Sequence, residues 1–368
     1  KRVSEVTGRD AKTIHRLLEV DFGSSEVTTF VHNEQHPLKA DAVVIDEMSM
    51  VDTTLFESLL RGCRMGCKLI LVGDSDQLPS VGPGNVLRDL IDSGCIPTVE
   101  LKQVFRQAAE SRIVTNAHRI VAGEYPDLKT KDNDFFFLRR QSAAAVLSTV
   151  TELVAKRLPA SYGYSPLEDI QVLSPQRKGD LGVGALNESL QAALNPPQKG
   201  KREYKSTFAT FREGDKVLQT RNNYDIEWEK PGTGEKGMGI YNGDIGIIQR
   251  IDLVGGTMEI DFDGRRCEYT LEMAPELDLA YAVTVHKSQG SEYSAVVLPI
   301  FGGYDKLYFR NLLYTAVTRA RKLLIIVGSE SRVYQMVDNN RKMLRYTGLK
   351  WFLRQEAGKP AAESGEAE

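Results

Sequence analysis

The sequence predicts an α/β protein of two parallel-sheet domains, the second interrupted by a small β module, and three observations predict it. Ala42-Val43-Val44-Ile45 and Lys68-Leu69-Ile70-Leu71-Val72 are short apolar runs that each lead into acids, at Asp46-Glu47 and at Gly73-Asp74-Ser75-Asp76. Such runs, apolar without alternation, read as strands buried on both faces, as in a parallel sheet. From about 205 to 275 the texture changes to short alternating runs cut by Gly214-Asp215, Asn222-Asn223, Asn242-Gly243, Gly255-Gly256 and Asp263-Gly264. Turn pairs at that spacing predict antiparallel strands closing as a small barrel. The α/β texture returns at Leu279-Ala280-Tyr281-Ala282-Val283 and continues to about 350. The β module is therefore an insertion.

In chain order, Thr13, Ile14, Leu17 and Leu18 share helical spacing. Weak alternation at Val27, Thr29 and Val31 predicts a hairpin over about 22–38. His32 and His36 lie in it beside Pro37, off any helix, so a metal pair is the minor reading there. Asp52 to Arg61 reads as a helix. The loop Ser80-Val81-Gly82-Pro83-Gly84 either brings backbone close to a ligand or is plain punctuation before a helix from Asn85 to Ser93. Residues 111–122 and 142–158 read as amphipathic helices, and Ile170-Gln171-Val172-Leu173 as a buried strand ending in Ser174-Pro175-Gln176-Arg177-Lys178. Pro196-Pro197 followed by Lys199, Lys201, Arg202 and Lys205 marks a linker. The expected boundaries are 1–103 for the first domain, 104–195 with 277–350 for the second, and 196–276 for the insertion. Residues 351–368 are expected to be a disordered tail.

Composition narrows the class. The charged fraction is 26% and the hydrophobic fraction 41%, ordinary for a soluble globular chain. Net charge is -3, so a polyanionic partner must be met by local clustering. No apolar run approaches the roughly 20 residues that span a bilayer, and no secretory pattern opens the chain. Cys63, Cys67, Cys95 and Cys267 lack a paired zinc spacing and read as reduced thiols, which gives a cytoplasmic expectation. The chain opens on Lys1 in mid-pattern, which suggests a fragment of something longer.

The acids carry the first chemical reading. Carboxylates at the carboxyl ends of parallel strands sit where open α/β sheets bind ligands. One of the pair Asp46-Glu47 would hold Mg²⁺ through oxygen and the other orient a water, and Gln77 follows the second acidic strand end. Arg106 is either a surface ion pair or a planar fork for phosphate oxygens. Thr284, His286 and Ser288 offer donors to phosphate, and Arg319 with Arg321 either stabilises charge on a transferring phosphoryl group or is a solvated basic helix end.

Taken in order, these segments resemble the superfamily-one DNA helicases, most closely the RecD-like group, from the first residues to about 350. The resemblance implies two RecA-like domains, the small hairpin as a duplex-splitting pin, and an inserted SH3-like barrel that helps enclose a single strand. Asp46-Glu47-Met48-Ser49 looks like motif II (Walker B), with Asp46 on Mg²⁺ and Glu47 as the base. Gly73 to Pro79 looks like motif III, with Gln77 sensing the γ-phosphate. Phe105-Arg106-Gln107 looks like motif IV, and Thr318-Arg319-Ala320-Arg321 like motif VI, with Arg319 as the finger. Residues 284–292 look like motif V, placing Gly290 and Glu292 at ATP and Thr284, His286, Lys287 and Ser288 at DNA; Arg177 and Lys178 join the DNA set. Lys199, Lys201, Arg202, Lys205 and Lys216 of the insertion would track phosphates. The expected partners are single-stranded DNA, duplex junctions and other subunits of recombination and repair, with no membrane.

One motif departs from the pattern. No G-x-x-x-x-G-K-[ST] occurs in the 368 residues, and the nearest approach, Pro231 to Gly237, runs on to Met238 where Lys is required. The expectation is that the P-loop lies upstream of Lys1 and that this chain alone is nearly inert as an ATPase. Two rival readings stand beside the motor. One is a non-hydrolysing DNA-binding or scaffold subunit, against which the set Glu47, Gln77, Arg106 and Arg319 argues. The other is the same motor fused to another activity. A nucleophile elbow fails because Gly73-x-Ser75 continues to Gln77, and H-E-x-x-H is absent.

Overall fold

A computed structural model of the chain describes residues 3, 7–9, 11–21, 29–101, 110–130, 134–207, 209–340, 345 and 347–358. Two units form, Lys1–Gln103 with Lys342–Glu368, and Val104–Arg341.

In the first unit, Thr13 caps the short helix α1 (Ile14–Leu18), its Oγ1 accepting from Arg16 N at 3.3 Å. Strands β1 (Val20–Asp21) and β2 (Thr29–Phe30) pair antiparallel. The expected hairpin thus begins earlier than 22, and its turn, 22–28, lies outside the described residues. Strands β3 (Ala42–Ile45) and β4 (Lys68–Leu71) pair parallel, Ala42 against Lys68 and Ile45 against Leu71. Between them α2 (Thr53–Gly62) starts at Asp52, whose Oδ1 accepts from Leu55 N at 2.8 Å, satisfying a helix-end donor. Helix α3 (Val86–Ser93) stops at Gly94, which takes the left-handed conformation a C-terminal cap favours. Val43, Ile45, Met48, Phe56, Leu59, Leu87 and Leu90 share one core.

The expectation of strands buried on both faces fails here. Val43 and Ile45 are buried, whereas Val44 is 60% and Ile70 50% exposed. Helices α2 and α3 cover one face of this two-stranded sheet, and the alternate side chains point away from them.

The second unit contains strand β5 (Phe135–Arg139). Helix α4 (Arg112–Ala122) precedes it, and α5 (Ala143–Glu152) continues through a π-helical turn, Leu153–Arg157, into α6 (Leu158–Tyr162). Strand β6 (Ile170–Ser174), buried at every position, leads to α7 (Val183–Leu194). The insertion then supplies β7 (Glu203–Lys205), β8 (Thr210–Arg212), β9 (Lys216–Gln219), β10 (Asn223–Glu229), β11 (Lys236–Ile240), β12 (Ile245–Asp252), β13 (Thr257–Phe262), β14 (Arg265–Thr270) and β15 (Leu277–Leu279). The host resumes with β16 (Ala282–Thr284), β17 (Tyr293–Ile300), α8 (Arg310–Thr318), β18 (Ala320–Gly328) and α9 (Glu330–Asp338).

The host sheet has the order β16-β6-β17-β18-β5, with every pair parallel. Here the unbroken apolar runs are buried as expected, with Val172, Val297, Leu324 and Ile326 each 0% exposed. The insertion is one curled antiparallel sheet, β11-β10-β14-β13-β12-β9-β15, with β7 and β8 paired separately. Its core is Phe211, Val217, Ile248, Met258, Ile260, Phe262 and Tyr269. Asp263 and Gly264 both have positive φ, the two-residue turn that joins twisted antiparallel strands. The sheet runs past the expected end at 276, because β15 pairs with β9.

The tail expected to be disordered from 351 carries a helix, Leu349–Glu356. Leu349 and Leu353, one turn apart, pack on the first unit's core, and Arg354 donates to Ser93 O at 3.2 Å and Asp92 O at 3.0 Å. That face offsets the polar composition. Residues 359–368 lie outside the described residues.

Candidate functional site

In the first unit the two acidic strand ends are stitched together by backbone. Val72 N donates to Ile45 O at 2.8 Å and Met48 N to Val72 O at 2.9 Å. The turn between them bends at Glu47, whose φ of 54° and ψ of 42° are left-handed. Asp46 Oδ1 accepts from Glu47 N at 2.9 Å, so one oxygen fixes the carboxylate while its second accepts no hydrogen bond among the described residues. Asp46 is exposed and Glu47 half-buried. Ser49 Oγ, on the turn just behind the acids, is buried without a hydrogen-bond partner among the described residues. Gly73 is required by crowding, because a Cβ there would stand 2.9 Å from Met48 N.

Gln77 caps the second acidic turn. Its Nε2 donates to Asp74 Oδ2 at 3.4 Å, Asp74 Oδ1 accepts from Asp76 N at 2.9 Å, and Arg88 donates to Asp76 Oδ1 at 3.0 Å. The chain then enters the 80–84 loop, where sequence reasoning missed a partner. Arg345 sends Nη1 to Ser80 Oγ at 3.2 Å, to Gly84 O at 2.8 Å and to Gly82 O, and Nη2 to Ser80 O. More than 260 positions separate it from the loop, so no local pattern betrayed it. Arg106, the expected phosphate ligand, lies outside the described residues.

In the second unit the turn after β16 gathers the predicted DNA set. Thr284 Oγ1 accepts from Lys287 N at 3.3 Å, and Ser288 Oγ, fully buried, donates to Val285 O at 2.8 Å. Ser288 is therefore spent on holding the turn. His286 and Gly290 are exposed, and Gly290 takes a φ of 75°. Lys287 Nζ and Arg177 Nη2 approach the same acid, Asp278 Oδ2, at 3.6 and 4.0 Å, which brings the β6 and β16 ends together. Lys178, on the β6 side, is exposed.

Arg319 is 3% exposed, and its Nη1 donates to Ser291 O at 3.2 Å. Burial, against the opposing pull of Arg319, pushes the Tyr293 phenol up to about 12. Arg321 faces Glu292 at 3.8 Å in a solvent-washed pair of little weight. One expected phosphate-tracking cation is overturned. Lys216 is 4% exposed and donates to Gln171 Oε1 at 2.9 Å, so it cannot face a ligand from solvent.

The order of the matching segments agrees with this architecture. Residues 1–136 match the family described as AAA domain, residues 186–262 the ATP-dependent RecD-like DNA helicase SH3 domain, and residues 279–327 the UvrD-like helicase C-terminal domain. The Pif1 helicase from Bacteroides, in complex with ADP-AlF3 and ssDNA, shares the fold over 94% of this chain and 83% of its own, with a TM-score of 0.50 and 20% identity. Together these define a RecA-like fold with an inserted SH3-like domain. The ATP-dependent RecD2 DNA helicase of Deinococcus radiodurans is 36% identical over 349 residues, 95% of this chain and 44% of that protein. The RecBCD enzyme subunit RecD of Mycobacterium tuberculosis H37Rv is 31% identical over 362 residues, 93% of this chain and 58% of that protein. The chain is similar to the RecD-like helicases over nearly its whole length, and it spans about half the length of these curated relatives.

Proposed function

We propose that this chain is the core of an ATP-dependent DNA helicase that moves 5′ to 3′ on single-stranded DNA, in the cytoplasm and in recombination and repair. The observation that carries the reading is the Asp46-Glu47 turn, with one carboxylate pinned by a backbone N–H and the next aimed by a left-handed backbone. Asp46 would hold Mg²⁺ through its second oxygen, in keeping with an ion that uses one or two protein carboxylates and the phosphates of its nucleotide. Mg²⁺ and ATP would supply the electrophilic phosphorus and neutralise charge on it. Glu47 would accept the proton of the attacking water, and Gln77 would sense the γ-phosphate. Arg319 would exchange the Ser291 carbonyl for a phosphate oxygen, a stronger acceptor for a guanidinium. Arg106, Gly290 and Glu292 complete the proposed nucleotide set. Thr284, His286, Lys287, Arg177 and Lys178 would meet the DNA backbone.

The 368 residues contain no P-loop, so these residues alone should turn over little ATP. The test is phosphate release, with and without single-stranded DNA, by the chain and by a form extended to carry a P-loop. DNA-stimulated release by the extended form, lost by at least about 100-fold in Glu47→Gln as removal of a general base requires, is the expected result. DNA binding without any release in the extended form would instead assign a scaffold role.

A further inference from the structure

All strands of the host sheet are parallel, so their carboxyl ends share one edge. At that edge the neighbours β5 and β18 part company. The chain leaves β5 into α5, whose Val146 and Val150 pack with Leu323, Ile325 and Val327 of β18. It leaves β18 into α9, which packs with α8 against the opposite face. A crevice opens where adjacent strands send their chains to opposite faces, and open α/β sheets bind ligands at such points. Here it is a cleft of about 410 Å³ whose lining includes Arg139, Arg140, Phe301, Ser329 and Ser331.

We propose that this cleft is a subsite for a phosphodiester group of single-stranded DNA, with Arg139 and Arg140 as its cations; the proposal rests on the helicase reading above. Neither arginine meets a carboxylate among the described residues, although most arginines of the unit do. Arg140 is held in place, its Nε on Thr149 Oγ1 and its Nη1 on Arg139 O, both at 2.7 Å. Arg139 is exposed. The acid at the cleft, Glu330, accepts the Tyr334 hydroxyl at 2.7 Å. Phe301, half-buried and packed on the core, lines the cleft as well. The Thr284–Ser288 turn lies on the same edge four strand positions away, about 19 Å at roughly 4.8 Å per strand. A single strand seated on that turn would reach the cleft within a few nucleotides.

The test measures binding of fluorescent oligo-dT to the intact chain by anisotropy over a range of salt, with Arg139→Glu, Arg139→Gln and Lys287→Ala in parallel. Arg139 makes no side-chain hydrogen bond or ion pair among the described residues, and an unchanged melting midpoint checks that its loss leaves the fold intact. Arg139→Glu should weaken binding about tenfold, and Arg139→Gln should lower the salt slope by about 0.7, the share of one phosphate on a single strand. Wild-type affinity in both Arg139 variants, with Lys287→Ala weakened, overturns the cleft and leaves the helicase reading intact. No loss in any variant would remove both. Inorganic phosphate that binds wild type and not Arg139→Glu, with oligo-dT binding equal in the two, would make the cleft a free-phosphate site and overturn the proposal.

Discussion

Glu47 shows how a single residue joins fold to chemistry. Left-handed backbone costs a non-glycine residue roughly 1–2 kcal/mol, and such strain persists only where surrounding bonds hold it. Here the bonds are Met48 N to Val72 O and Glu47 N to Asp46 Oδ1, which fix the peptides on both sides of Glu47. If the turn is strained, Glu47→Gly should be more stable than Glu47→Ala by about 1 kcal/mol in urea unfolding. Equal stability would show that the turn relaxes. The pair of acids was legible in the sequence as a strand end, because an apolar run meeting two carboxylates is a local pattern. The left-handed turn was not, since Glu carries no preference for it and the partner that imposes it, Val72, belongs to another strand.

At the scale of the element, the 80–84 loop is held from a distance. Its sequence is compatible with a ligand-facing loop or with plain punctuation. The packing gives a tighter account: a Cβ at Gly82 would overlap the Asp52 carboxylate, one at Gly84 would overlap Thr53 Oγ1, and Thr53 N and Oγ1 both donate to Pro83 O. The loop thus lies on the start of α2, and the planar Arg345 fork closes it through two carbonyl-rich turns. Hydrogen bonds from a charged donor contribute about 1.5–3 kcal/mol, so Arg345→Ala should destabilise the first unit by about 2 kcal/mol and speed amide exchange across residues 78–86. Arg345→Lys should recover less than half of that, because an ammonium cannot address several acceptors in one plane. Unchanged exchange in both variants would mean the loop is held by α2 alone. Elements with periodic or unbroken apolar patterns, such as α2, α3 and β6, could be read locally. Strand β5 was passed over although Phe135-Phe136-Phe137-Leu138 is an apolar run, and with it went Arg139 and Arg140.

At the largest scale, the insertion is joined to its host by buried polar groups. Asp215, fully buried, accepts from Gln191 Nε2 and Asn195 Nδ2 at 2.6 Å each and from Tyr281 OH and Arg212 N at 2.7 Å each. The next residue, Lys216, donates to Gln171 Oε1, while Gln171 Nε2 donates to Ala280 O at 3.0 Å and Tyr281 O at 3.1 Å. Donors and acceptors come from α7, β6 and the return segment at Ala280 and Tyr281, so β9 is locked to the host sheet at its root. Turn pairs and a change of texture marked the module in the sequence, but not its last strand, β15, which pairs with β9 beyond the expected end. The sequence showed Asp215 as a turn residue and Lys216 as a surface cation, because the groups that bury them lie 66 and 45 positions away. Lys216 makes this junction pH-dependent. Burial pushes its pKa from 10.5 down to about 8. Below about 8 the folded chain carries a buried ammonium that is costly to keep; between about 8 and 10.5 the unfolded chain binds the proton more tightly than the folded one, so stability gained from this residue rises with pH. Lys216→Met lacks the titration. The stability of wild type relative to Lys216→Met, measured by urea unfolding from pH 7 to 10, should therefore increase steadily above pH 8, with the tyrosines and cysteines common to both proteins cancelling from the comparison. A difference that stays flat across that range would mean that Lys216 titrates as an ordinary lysine and that water reaches the root of the module.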